Sequence, residues 1–118
     1  MRLVPAPGLA ALLLALASPA LGHAIVVAAE PAVGAVLHGP KAQVKLRFNS
    51  RIDVERSRLT LISPDGTARP LTLAPSDEPD TLAARVDGLA SGGYRLRWQV
   101  LAVDGHITRG DVPFTVAR

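Results

Sequence analysis

The feature that most narrows the folds open to this chain is a strict two-residue alternation of apolar and polar side chains, strongest over residues 94–100. Tyr94, Leu96, Trp98 and Val100 fall in one phase, and Arg95, Arg97 and Gln99 in the other. Successive side chains of an extended strand point to opposite faces, so this pattern predicts a strand with one face in a core and one in water. Residues 43–49 repeat it, with Val44, Leu46 and Phe48 set against Lys45 and Arg47, and Val112, Phe114 and Val116 close the chain in the same period. Shorter candidates lie at Ile25–Ala29, Arg58–Ile62, Arg69–Leu73 and Leu82–Val86. Between them stand Glu30-Pro31, Gly34, Pro64-Asp65-Gly66, the proline- and acid-rich stretch 74–80, and the glycines of 88–93. No segment reads as an amphipathic helix. About seven short strands separated by turn signals predict an all-β fold, a sandwich or a small Greek-key barrel. Pro113 cannot donate to a ladder, which puts the last strand at an edge or a bulge. Phe48 and Trp98 are expected in the core.

The first twenty-two residues read as an address rather than as structure. Met1-Arg2 is a basic head, Leu9–Ala17 an almost unbroken Leu/Ala run, and Ser18-Pro19-Ala20-Leu21-Gly22 a small-residue exit. That order is the one of a secretory signal, and the apolar run is shorter than the roughly 18 to 20 residues that span a bilayer. Residues 1–22 are therefore expected to be a cleaved signal peptide, leaving 23–118 as one exported domain. Cutting after Ala20 satisfies the same small-residue rule and would leave Leu21-Gly22 ahead of His23. Without Arg2 the chain carries twelve basic and ten acidic side chains, mostly as single arginines between apolar residues. No clustered basic surface for a nucleic acid follows from that pattern. Cysteine is absent, so the domain must fold without disulfides and any metal must be held by nitrogen and oxygen.

Three histidines, His23, His38 and His106, can bear on such chemistry. His38 lies in a Leu-His-Gly-Pro turn and reads as a solvated side chain. Cleavage before His23 would turn it into a bidentate ligand, because its α-amino nitrogen and Nδ1 can close a chelate ring on one ion, and the amine has a reference pKa of only about 8. An N-terminal histidine can equally be an accident of where a signal ends. Asp104-Gly105-His106 breaks the tie: it lies just beyond the strongest strand, in a segment that must turn, and can aim a carboxylate and an imidazole at one point. Amine, two imidazoles and a carboxylate suit tetragonal Cu(II); Zn(II) accepts the same atoms tetrahedrally but stands below copper in affinity. Asp111 and Arg109 read as surface or turn residues.

These segments resemble the CopC family of periplasmic copper-resistance proteins. The resemblance is carried by His23-Ala24 after the signal, by Glu30-Pro31-Ala32-Val33-Gly34, by Val44-Lys45-Leu46-Arg47-Phe48-Asn49 and by the run from Tyr94 to His106. It implies a seven-stranded Greek-key barrel or sandwich, of the immunoglobulin-like or cupredoxin-like kind, holding Cu(II) through His23, Asp104 and His106. It also implies a monomeric, non-catalytic copper carrier or buffer. Family members often work beside, or are fused to, a CopD-type inner-membrane protein, here expected as a separate polypeptide. Two departures stand out. Some members place a glutamate after the strand ending at Phe48, where this chain has Asn49-Ser50, and some carry a methionine-rich stretch for Cu(I), whereas the only methionine here is Met1. Two other functions fit parts of the pattern: a copper-dependent oxygenase using the same amine and imidazoles, and a metal-free interaction module, which would follow from a chain starting at Leu21.

Overall fold

The computed structural model describes residues 24–118; the signal-like leader and His23 lie outside the described residues. Eight strands follow one another: β1 (Val26–Glu30), β2 (Ala35–His38), β3 (Ala42–Phe48), β4 (Ile52–Ile62), β5 (Ala68–Pro70), β6 (Thr81–Val86), β7 (Gly92–Ala102) and β8 (Ile107–Ala117). They form a Greek-key β-sandwich of two sheets, ordered β1-β3-β6 and β2-β8-β7-β4-β5. Among the described residues no helix is long and apolar enough to cross a membrane.

The alternation sorts side chains as expected. In β3 burial alternates at every residue from Ala42 to Phe48, and Val44, Leu46 and Phe48 are all buried. From the opposite sheet Leu96, Trp98 and Val100 of β7 and Val112 and Phe114 of β8 meet them. Edge-to-face packing of Phe48 on Trp98, with ring centroids 5.1 Å apart, joins the two sheets, while Tyr94 stacks on Phe114 at 5.4 Å. The Tyr94 hydroxyl donates to the Ala90 carbonyl at 2.8 Å, which satisfies the one polar atom of a buried ring.

Trp98 needs the absence of a side chain opposite it. Gly110 is its cross-strand partner, and a Cβ there would stand 2.5 Å from the indole Cζ2. Gly110→Ala is expected to push the indole off its packing and to cost about 1–3 kcal/mol, the usual range for overpacking. A urea midpoint equal to that of the native protein would show that the ring has room to give.

The structure differs from the sequence reading in three places. The eighth strand, β2, stands between Gly34 and Gly39, runs parallel to β8 and pairs Ala35–His38 with Phe114–Ala117. Four residues are too few to show a period, and their stability comes from a strand far along the chain. His38 accordingly ends a strand rather than sitting in a turn, and it is solvent-exposed as expected. The second difference is β4, which starts at Ile52 rather than Arg58. Asp53 faces Leu101 and Arg58 faces Gln99, so five steps on β4 answer two on β7. The resulting bulge breaks the alternation and is held by Ser57, whose Oγ donates to the Asp53 carbonyl at 2.6 Å and accepts from the Leu101 N–H at 3.3 Å. Third, the return strand β5 covers only Ala68–Pro70.

Pro113 lies within β8, opposite Arg95 of β7. Its carbonyl accepts from Gly34 N–H at 2.7 Å, just before the β2 ladder begins at Ala35–Phe114. A strand residue's nitrogen and carbonyl point to the same side, so the missing N–H faces away from β7, where β8 is still an edge.

Candidate metal centre

One end of the sandwich carries Asp104 and His106. β7 and β8 are joined there by residues 103–106, in which Gly105 N–H donates to the Ala102 carbonyl at 2.9 Å and Ala102 N–H to the His106 carbonyl at 2.8 Å. This is a tight turn closed by a glycine bulge, and Gly105, at φ +92°, occupies the left-handed region that such a bulge requires. The turn leaves Asp104 and His106 on either side of a residue without a side chain. Asp104 Oδ1 accepts from the His106 backbone N–H at 3.0 Å, and its Oδ2 lies 3.2 Å from His106 Nδ1. Both side chains are substantially exposed, Asp104 at 39% and His106 at 61%.

Electrostatics follow from these bonds. The backbone N–H of His106 holds the Asp104 carboxyl below its ordinary value, partly opposed by desolvation and reinforced by the His106 side chain. Asp104 is therefore a carboxylate throughout the neutral range. A proton on Nδ1 directed at that carboxylate puts the imidazole lone pair on Nε2, which is how a carboxylate orients a metal-binding histidine.

The start of the described chain reaches the same place. Thr108, two residues beyond His106, donates from Oγ1 to the Ala24 carbonyl at 3.1 Å, and Ala24 is 1% exposed. On the other sheet, Asn49 Oδ1 accepts from Ile25 N–H at 2.9 Å and Asn49 N–H donates to the Ile25 carbonyl at 3.0 Å. Val103 N–H reaches the Arg51 carbonyl at 3.4 Å, tying the β7–β8 turn to the β3–β4 turn. Asn49 and Thr108 were not singled out as functional in the sequence. Asn49 reads there only as the lack of a carboxylate, and the one signal for Thr108 is its place in the inward phase of β8.

Asp104 and His106 are thus brought together, and His23 lies outside the described residues. Among the described residues no three His, Cys, Asp or Glu side chains converge to hold a metal ion. Asp111 points elsewhere: on the outer face of β8 it accepts from Arg97 Nε at 3.0 Å and from Arg95 Nη1 at 3.1 Å. Its carboxyl is lowered first by the Arg97 hydrogen bond. The small stability this gives is present above about pH 4 and is lost as the pH falls through the lowered value. Arg109 Nε donates to Gln99 Oε1 at 2.7 Å on the same face.

Residues 26–117 match the CopC domain. The chain belongs to the CopC family. The CopC fold seen here superposes on CopC from Methylosinus trichosporium OB3b with a TM-score of 0.71 and 29% identity, covering 80% of this chain and 93% of that one. PcoC from Escherichia coli, a methionine-rich copper resistance protein, shares the fold with a TM-score of 0.64 and 24% identity, over 80% of this chain and 99% of that one. Among curated proteins, YobA of Escherichia coli strain K12 is 27% identical over 112 residues, or 92% of this chain and 90% of that protein. The turn bearing Asp104 and His106 and the strand ends bearing Asn49 and Thr108 all lie within the matched CopC domain.

Proposed function

We propose that this protein is an exported, periplasmic carrier or buffer of Cu(II) that takes no catalytic part and holds the ion between a processed N-terminus and the β7–β8 turn. The donors are the α-amine and Nδ1 of His23, exposed by cleavage of residues 1–22, together with His106 and the carboxylate of Asp104. The observation that carries this reading is the hydrogen bond from Thr108 to Ala24. That bond holds Ala24, the residue that follows His23 in the sequence, against β8, the strand that leads directly out of the turn bearing His106.

The donor chemistry supports copper. Solved relatives of this fold include a copper resistance protein. Nitrogen and carboxylate ligands in a tetragonal set suit Cu(II), and Cys is absent while Met1 is the only methionine, so no soft sulfur donor remains for Cu(I) after processing. A carrier also needs no substrate platform. Phe48, Tyr94, Trp98 and Phe114 are all buried, which leaves no exposed aromatic surface of the kind an oxygenase uses on extended substrates. The domain acts as a monomer and exchanges its ion with a separate CopD-type membrane protein.

Thermal unfolding of the protein beginning at His23, with and without Cu(II), tests the reading. One equivalent is expected to bind, and at free copper near 100 times the dissociation constant the folded state gains about 2.7 kcal/mol. For a domain of this size that raises Tm by roughly 10–20 °C. The gain should vanish below about pH 5, where amine and imidazole nitrogens carry protons and cannot ligate. A melting curve indifferent to copper at pH 7 rejects the proposal.

A further inference from the structure

We infer that Asn49 and Thr108 form a two-point clamp that presets the N-terminal arm, making them positioning residues for the metal centre before any ion arrives. The inference rests on the carrier reading above and adds to it how the distant terminus is held. Its basis is that residues 24 and 25 are fixed by different sheets. Ala24 is bound through its carbonyl by Thr108 of β8, and Ile25 through both its N–H and its carbonyl by Asn49 at the end of β3.

The regular ladder does not do this work. Pairing of β1 with β3 begins at Val26–Phe48 and slips before Ala28, so Ile25 lies ahead of the ladder and at a distorted end of it. Ile25 is 57% exposed, so packing does not anchor it either. The Asn49 side-chain amide supplies the acceptor for the Ile25 N–H. Ala24, by contrast, is buried as part of the core, and its small side chain lets the backbone lie down between the sheets. With one residue gripped from each side, the backbone of Ala24 and Ile25 is set by the protein rather than by a metal. Such preorganisation removes from metal binding the entropy of ordering a free terminus.

Thr108→Val removes the hydroxyl at nearly constant shape, Thr108→Ser restores it, and Asn49→Ala removes the acceptor for Ile25. The full protein beginning at His23 is used throughout, and two readouts are taken. In the metal-free protein, the Ile25 amide is expected to exchange with solvent at least about tenfold faster in Asn49→Ala and Thr108→Val than in the native protein, because the first removes its acceptor and the second frees the Ala24 carbonyl at the other end of the same peptide group. Cu(II) affinity is expected to fall about 10–100-fold in both, the usual effect of losing groups that orient ligands, and to return in Thr108→Ser. Inserting one alanine between His23 and Ala24 leaves the clamp intact: Ile25 exchange should stay native while affinity drops at least as far. Unchanged Ile25 exchange in the two variants overturns the clamp, as does native copper affinity once exchange has risen. A native protein that binds no Cu(II) overturns the carrier reading, and the exchange measurement then still decides whether the arm is held. If either variant fails to fold, the inserted chain and Thr108→Ser carry the comparison, and native affinity in the inserted chain overturns the inference.

Discussion

Acetylating the amine of His23 in the processed protein, or changing His23→Ala, is expected to lower Cu(II) affinity by more than about 100-fold. Loss of a group that only orients a ligand costs about 10–100-fold, and these changes remove ligand atoms themselves. The two act differently. Acetylation leaves the imidazole and removes the amine, whose reference pKa of about 8 lets it bind copper at neutral pH. His23→Ala keeps the amine and removes the imidazole, so the three-carbon link between the two donors no longer closes a chelate ring in either case. Asp104 and His106 remain as an exposed pair, which among the described residues has no third ligand of its own kind. Competition titration against a chelator of known affinity measures both variants. Native affinity after acetylation would show that the terminus is not a ligand.

Phe48→Ala is expected to destabilise the metal-free domain by about 3–5 kcal/mol, the range for removing a buried phenylalanine. Phe48 is 1% exposed and packs edge-to-face on Trp98, so its loss leaves a cavity and removes an aromatic pair that links the two sheets. Domains of this size have about 5–15 kcal/mol in total, so the change takes up a large share of the stability. Denaturant unfolding followed by Trp98 fluorescence reads it directly, because the reporter is the ring that loses its neighbour. A loss below about 1 kcal/mol would mean that the two sheets close over the gap. Phe48 also precedes Asn49, which grips Ile25 from the end of the same strand. Copper affinity is therefore expected to fall in this variant as well, at temperatures where it is still folded.

The strands whose inward residues alternate without interruption were legible from the residues alone: β3, β7 and the second half of β8 each show their core face in the sequence. What escaped has a local cause in each case. The first part of β4 is hidden by a bulge, where Asp53 to Arg58 put extra residues into one strand and shift the phase of every side chain before it. β2 is too short to carry a period and depends on pairing with β8. Asp104 and His106 were legible as a pair because a turn of known chemistry, with glycine between them, brings neighbours in sequence together. Asn49 and Thr108 were not, since an asparagine after a strand and a threonine within one are ordinary residues until the backbone groups they bind are known.

What the amino-acid sequence determined by itself was composition and period: two-faced strands, a donor set limited to nitrogen and oxygen, and one Asp-Gly-His turn. Both follow from near neighbours, because strand phase and turn geometry are set within a few residues. Only the tertiary structure decided that the beginning of the domain lies against Thr108, eighty-four positions later, and against Asn49 on the other sheet. The reason is that such a meeting depends on how two sheets stack and where their ends coincide, and no short-range pattern encodes that.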